Sequence, residues 1–157
     1  MRKKVAKLKT GDPAPAFEAV DQDGNMKTLA DYRGRKLILY FYPKDNTPGC
    51  TAEACSLRDG RDTLRRMGFE VVGVSPDSEK SHQGFIAKQG LNFTLLADTD
   101  KKIAEAYGVW GEKKFMGRTF MGILRTTFVI DEQGVIEKIF DKVRTKDHFE
   151  QIVEAYQ

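Results

Sequence analysis

Hydrophobic positions in this chain fall into short runs separated by turn signals, and their spacing switches between the two-residue period of strands and the wider period of helices. Leu37-Ile-Leu-Tyr-Phe-Tyr42 is a continuous apolar run of strand length, and Phe69-Glu-Val-Val-Gly-Val-Ser75 is a second. Between them, residues 48–67 have helical length and end in the basic pair Arg65-Arg66 followed by Gly68, a suitable stop. Strand, helix, strand implies a parallel pair joined by a right-handed crossover. Ahead of this unit, residues 17–20 and 26–29 flank the turn Asp21-Gln-Asp-Gly24 and read as a hairpin, with an irregular Gly11-Asp-Pro-Ala-Pro15 before it. Tyr32-Arg-Gly-Arg35 links that hairpin to the central strand.

Beyond the unit the pattern predicts a helix over 78–89, a short strand near 93–97 and a helix over 101–107 stopped at Gly108. Residues 124–130, the turn 131–134 and residues 135–140 form the clearest hairpin. Residues 145–155 close the chain with an amphipathic helix carrying Phe149, Ile152, Val153 and Tyr156 on one face. The stretch 111–122, punctuated by glycine and without a clear period, reads as a loop. Its Phe115, Met116, Phe120 and Met121 are expected to form an apolar rim beside the site. The sum is an α/β chain with a mixed sheet of about five strands, helices on both faces and an N-terminal hairpin.

At 157 residues the chain is long enough for one ordinary core, read as one domain over 11–157 behind a basic tail over 1–10. The net charge of +3 is small, and much of it sits in Met1-Arg-Lys-Lys-Val-Ala-Lys-Leu-Lys9. Without aromatic interleaving this stretch reads as a solvated tail, not a nucleic-acid arm. No apolar run of a signal peptide follows it, and nothing approaches the roughly 20 apolar residues of a membrane span. Two cysteines are too few for a secreted disulfide scaffold, so a reducing cytoplasm fits, with any disulfide transient.

Those two cysteines focus the chemistry. Pro43 stops the central strand, and Thr47-Pro48 supplies a capping hydroxyl followed by proline at the first helical position, where a missing N–H costs nothing. Cys50 then falls in the first helical turn, where unpaired N–H groups and the positive end of the helix dipole favour a thiolate. Cys55 lies five residues on. In an intact helix their Cα atoms stand about 8 to 9 Å apart and about 140° around the axis. A disulfide needs Cα atoms within about 7 Å, so oxidation must unwind the helix start. Two buried structural cysteines would be the plainer reading, but the hydroxyl, helix start and open backbone of Thr47, Pro48 and Gly49 argue for a redox site.

Pro43-x-x-x-Thr47-x-x-Cys50 matches the active-site signature of the peroxiredoxins. Thr47-Pro-Gly-Cys-Thr51, with a second cysteine five residues later, resembles the bacterioferritin comigratory protein, or peroxiredoxin Q, subfamily. Phe93-Thr-Leu-Leu-Ala-Asp98, Gly108-Val-Trp-Gly-Glu-Lys113 and Arg125-x-x-Phe-Val-Ile-Asp131 resemble that subfamily's blocks in order. The resemblance runs from about Gly11 to the C-terminus. It implies a thioredoxin-like fold and a peroxidase reducing hydrogen peroxide and organic hydroperoxides.

In that reading Cys50 attacks the peroxide, Cys55 resolves the resulting sulfenic acid as an intramolecular disulfide, and thioredoxin or glutaredoxin returns both thiols. Thr47 and the backbone of Gly49 orient the peroxide oxygens, and Pro43 shields the sulfur. Arg125 shares a strand face with Thr127 and Val129. From the residues alone it is either the partner of a carboxylate such as Glu53 or a cation facing the sulfur, and the resemblance implies the latter. A resolving cysteine in the same helix makes a monomer sufficient.

Other chemistries fit less well. Zinc would need Cys50, Cys55, His82 and His148, which lack ligand-like spacing. His82 and His148 read as surface residues on exposed helices, not placed to serve a cysteine hydrolase. No phosphate loop or dinucleotide fingerprint is present, so no cofactor is implied. The competing functional class is a redox-sensing interaction protein on the same fold, which need not keep Arg125 or Thr47.

Overall fold

The computed structural model describes residues 7–157. Most of the basic stretch read as a tail therefore lies outside the described residues. β1 (Glu18–Val20) and β2 (Met26–Thr28) form the opening hairpin, closed by Asp21, whose Oδ1 accepts from the N–H groups of Asp23 and Asn25. β3 (Lys36–Phe41) then enters the centre of a five-stranded sheet. α1 (Pro48–Arg66) leads to β4 (Phe69–Ser75), which pairs parallel with β3. α2 (Glu79–Gln89) precedes β5 (Thr94–Ala97), parallel to β4, and α3 (Lys102–Ala106) follows.

β6 (Trp110–Phe115) and β7 (Arg118–Ile123) pair with each other, apart from the main sheet. β8 (Thr126–Ile130) runs antiparallel to β3, β9 (Ile136–Phe140) is the far edge, and α4 (His148–Glu154) closes the chain after a 3-10 turn. The order across the sheet is β5-β4-β3-β8-β9.

Strand alternation splits the core in two. Leu37, Leu39 and Phe41 of β3, with Val72, Val74, Phe128 and Ile130, pack on one face with α3. Ile38 and Tyr40 of β3 and the adjoining Tyr42, with Val71 and Val129, pack on the other against Ala54, Leu57 and Leu64 of α1, Phe85 of α2 and Ile152 of α4. Gly60 lets α4 lie close on α1: a Cβ there would meet the Phe149 ring at 2.1 Å. Phe149 also donates its backbone N–H to Ser56 Oγ on α1.

Two expectations fail here. Residues 111–122 are not a loop but the β6–β7 hairpin. Its turn uses Met116 (φ 51°) and Gly117 (φ 77°), two left-handed residues in the manner of a two-residue type I′ turn. Met stands where such turns usually show Asn or Asp, and neither strand, WGEKKF or RTFMGI, alternates apolar with polar residues. The usual composition signals are therefore missing. Likewise His82 and His148 are not surface residues, since both are completely buried. Each occupies the inward face of a short helix beside one aromatic or aliphatic residue, Phe85 in α2 and Ile152 in α4.

Candidate functional site

β3 ends at Phe41, and the turn that follows delivers the chain to Thr47, the N-cap of α1, with Pro48 at the first helical position. Cys50 thus occupies the first turn of a 19-residue helix, its side chain turned inward and only 1% of the residue exposed. The Thr47 hydroxyl does not cap this helix as the sequence suggested. It donates to the Lys44 carbonyl at 2.9 Å and closes the turn, which leaves its lone pairs free to accept. Pro43 and Gly49 are half-buried in the same turn.

Arg125 comes from the residue just before β8, on the face it shares with Thr127 and Val129. Its Nη2 donates to Cys50 Sγ at 3.3 Å, and its Nη1 donates to Glu53 Oε1 at 2.6 Å. Both sequence readings of this arginine hold at once. Gly49 makes room for it, since a Cβ there would stand 3.3 Å from Nη2. Burial works against the charge of Arg125, but Glu53 and Cys50 outweigh it and hold the guanidinium above its usual range.

Glu53 is completely buried one turn beyond Cys50. Burial raises its carboxyl to about 7, with Arg125 pulling the other way. Its second oxygen, Oε2, has no hydrogen-bond partner, and the nearest cationic candidate is His148 Nε2 at 3.7 Å. That histidine is kept neutral by its burial. Gln151 Oε1, which takes the Arg144 N–H, also accepts from His148 Nδ1, leaving Nε2 to accept the Thr127 hydroxyl at 2.8 Å. Burial lowers His148 to about 4. An ionised Glu53 so placed is costly, and the arginine is what offsets that cost.

Lys113 on β6 is a second cation at this mouth. Burial lowers it, Arg125 lowers it further and Cys50 opposes both. Its hairpin partner is Phe120, and the next pair on the same face is Phe115 with Arg118. Phe115 is 67% exposed and Phe120 46%. Met121 is also exposed but pairs with Glu112 on the opposite face, and Met116 sits at the tip, so the expected four-residue rim reduces to two phenylalanines on the Lys113 face. Arg125 and Lys113 also line a cavity of about 550 Å3 whose other walls include Tyr107, Val109, Leu124, Phe128 and Ile139.

Cys55 lies in the same helix, half-buried and unbonded, with its nearest polar neighbour Gln89 Oε1 at 3.7 Å. The four residues weighed as a zinc set are dispersed: His82 pairs with Asp45, and His148 with Thr127 and Gln151. Asp45, Asp77 and His82 do converge, with ligand atoms within 4.8 Å of one another. Protein donors already occupy those atoms, however, so the cluster is a hydrogen-bond network and not a metal centre. Sequence reasoning missed Lys113, Thr127 and His148. Lys113 was in view within the Gly108–Lys113 block, but only the hairpin carries it to the sulfur's vicinity.

The arrangement holds a cysteine sulfur against a guanidinium, three residues after a threonine whose hydroxyl keeps its lone pairs, with a largely apolar cavity on the other side of that guanidinium. Such a constellation suits nucleophilic attack on a small polarisable bond. Known proteins agree with it. The AhpC/TSA family profile matches residues 10–139. A putative peroxiredoxin Bcp of Haemophilus influenzae is 51% identical over 147 residues, covering 94% of this chain and 95% of that one. A cysteine variant of Xylella fastidiosa peroxiredoxin Q superposes with a TM-score of 0.90 at 33% identity, covering 97% of each chain. The bacterioferritin comigratory protein of Xanthomonas campestris, solved in connection with its alkyl peroxide reduction activity, gives 0.83 at 35% identity and 88% coverage of each. With the fold, the signature turn and these relatives in accord, the chain belongs to the AhpC/TSA family, within its bacterioferritin comigratory protein or peroxiredoxin Q group.

Proposed function

We propose that this protein is a thiol peroxidase that reduces hydrogen peroxide and organic hydroperoxides, with Cys50 as nucleophile and Cys55 as resolving thiol. The observation that carries the reading is the Arg125 guanidinium bonded at once to Cys50 Sγ and to a buried Glu53. A redox sensor has no need of that cation.

Cys50 thiolate attacks one peroxide oxygen in line. The O–O bond breaks, the sulfur is oxidised to a sulfenic acid, and the departing oxygen leaves as water or alcohol after taking a proton. Arg125 stabilises the thiolate and then the negative charge growing on the departing oxygen. The Thr47 hydroxyl accepts from the hydroperoxide O–H, the Gly49 and Cys50 backbone orients the oxygens, and Pro43 keeps bulk water from the sulfur. The cavity beside Arg125 accommodates the organic portion of larger hydroperoxides, in keeping with the alkyl peroxide reduction of the Xanthomonas relative.

Cys55 thiol then condenses with the sulfenic acid, expelling water and forming the disulfide. A dithiol of the thioredoxin class, or glutaredoxin, reduces it by exchange. The cycle needs neither cofactor nor partner subunit, so the working unit is a monomer in a reducing compartment such as the cytoplasm. Because both cysteines lie in α1 (Pro48–Arg66), bond formation unwinds its first turns. Amide exchange across residues 49–58 is therefore faster in the oxidised protein, and equal protection in the two states would contradict the pairing. The direct test couples peroxide consumption to NADPH through thioredoxin and its reductase. Consumption that persists in the Cys50→Ser chain would overturn the mechanism.

A further inference from the structure

The turn carrying Pro43 and Thr47 is held from beneath by a buried polar network that the chemistry above does not use. Asp45, between those two residues, is 4% exposed. Its Oδ1 accepts the Tyr42 hydroxyl at 2.6 Å, and its Oδ2 accepts Ser81 Oγ at 2.8 Å and His82 Nδ1 at 2.7 Å. The Asp45 backbone N–H donates to Asp77 Oδ2 at 2.8 Å, and Ser75 Oγ donates to the same oxygen at 2.7 Å. The far side of the imidazole is fixed too, with His82 Nε2 at 3.0 Å from the Leu96 carbonyl.

That carbonyl can only accept, so Nε2 carries a hydrogen. Nδ1 lies 2.7 Å from the Asp45 carboxylate, and the pair is fully enclosed. Ends of β4, α2 and β5 thus grip one residue of a six-residue connection. The next residue, Asn46, has φ 65°, a left-handed conformation that persists where its surroundings hold it. Then comes Thr47, whose hydroxyl is aimed by its bond to Lys44, on the other side of Asp45.

We propose that His82 and Asp77 are positioning residues for peroxide reduction, acting through Asp45 to lock the Pro43–Thr47 turn so that the Thr47 hydroxyl meets the peroxide. A fixed turn matters because misplacing an acceptor by about 1 Å costs on the order of 10²-fold in rate. The network touches neither Cys50 nor Arg125 directly, so the sulfur's general reactivity does not depend on it. The reading rests on the peroxidase proposal, and its test separates the two.

In the full chain carrying Cys55→Ser, only Cys50 can react, and its second-order rate constants with hydrogen peroxide and with iodoacetamide are compared. Alkylation has no use for an oriented Thr47 hydroxyl. Adding His82→Phe lowers the peroxide constant about tenfold or more while alkylation changes less than about twofold. His82→Asn, which can still offer an amide N–H to Asp45, restores part of the loss. Ser81→Ala removes a single donor at a half-buried position and lowers the peroxide constant about threefold, which covers the case in which His82→Phe does not fold.

A peroxide constant unchanged in both Ser81→Ala and His82→Phe, or alkylation falling in parallel with it, overturns the assignment. Amide exchange at residues 44–50 decides the clamp without reference to peroxide. It rises in the His82 and Ser81 variants if the network holds the turn, and unchanged exchange refutes the clamp. A parent chain inert to peroxide sinks the peroxidase reading, and the exchange result still stands.

Discussion

The two cysteines of α1 share a helix and little else. Cys50 is enclosed, bonded by Arg125, and backed by a buried carboxylate, a neutral histidine and Lys113. Cys55, one and a half turns on, is half-buried against a glutamine at 3.7 Å. The difference teaches that the first thiol needs charge arranged around it in advance, whereas the second needs only freedom to travel. Electrostatic preorganisation is built into the helix start, and the resolving step relies on that start coming undone.

The sharpest break in the comparison is to remove each sulfur. Cys50→Ser lowers peroxide consumption by about 10⁴-fold or more, since hydroxyls at neutral pH are far poorer nucleophiles. Cys55→Ser leaves the first turnover within about twofold and stops the cycle at the sulfenic acid, detectable by mass and by dimedone capture. If both substitutions abolish the first turnover, the division of labour between the two positions is wrong.

Next in size is the cation that only one cysteine has. Arg125→Gln keeps a polar chain of similar reach but no charge, and leaves Glu53 without its counter-ion. The rate constant for peroxide falls about 10²- to 10³-fold. Disulfide formation from preformed sulfenic acid changes by less than about threefold, because Cys55 makes no use of the guanidinium. Stopped-flow fluorescence resolves the two phases, and an equal loss in both would erase the distinction.

How much of this contrast is legible in the chain differs by residue. The strand, turn and helix bearing Pro43, Thr47, Cys50 and Cys55 are contiguous and strongly patterned, so local rules place them. Arg125 is distant in sequence, but alternation along β8 fixes its face, and the structure only adds that it serves Glu53 and Cys50 together. The buried histidines escape because short helices carry too few turns to show a period, and because each imidazole is satisfied by at least one partner distant in sequence. His82 bonds Asp45 and Leu96, and His148 bonds Thr127. The β6–β7 hairpin escapes because its strands are largely exposed and not apolar in alternation. Thr47 follows the capping rule in position and breaks it in bonding, its hydroxyl going back to Lys44.

A smaller effect, read by pH, concerns the carboxylate that only the Cys50 end possesses. Burial holds folded Glu53 at about 7 against an ordinary 4.5, so between those values the folded state binds more protons and its stability falls as pH rises. His148 acts oppositely: lowered from 6.5 to about 4, it adds stability as pH rises from about 4 to 6.5. Glu53→Gln removes the first contribution and leaves the second. Urea unfolding at pH 5 and pH 8 then shows the variant gaining on the parent by up to about 3 kcal/mol. A difference that does not change with pH means Glu53 is ionised throughout.

The smallest change tests whether the resolving thiol is held at all. Gln89 Oε1 is the nearest polar group to Cys55 Sγ, and at 3.7 Å the contact is weak. The Gln89 backbone carbonyl does more, accepting Arg58 Nη1 at 2.6 Å and tying the end of α2 to α1. Gln89→Ala deletes the side chain and keeps that carbonyl, so it isolates the thiol contact. Disulfide formation after a peroxide pulse changes by less than about twofold, with the sign of any small change toward faster closure, because one restraint on Cys55 is gone. A slowing of about tenfold would show that Gln89 aims the thiol, and the resolving end of the helix would then be as preorganised as the attacking end.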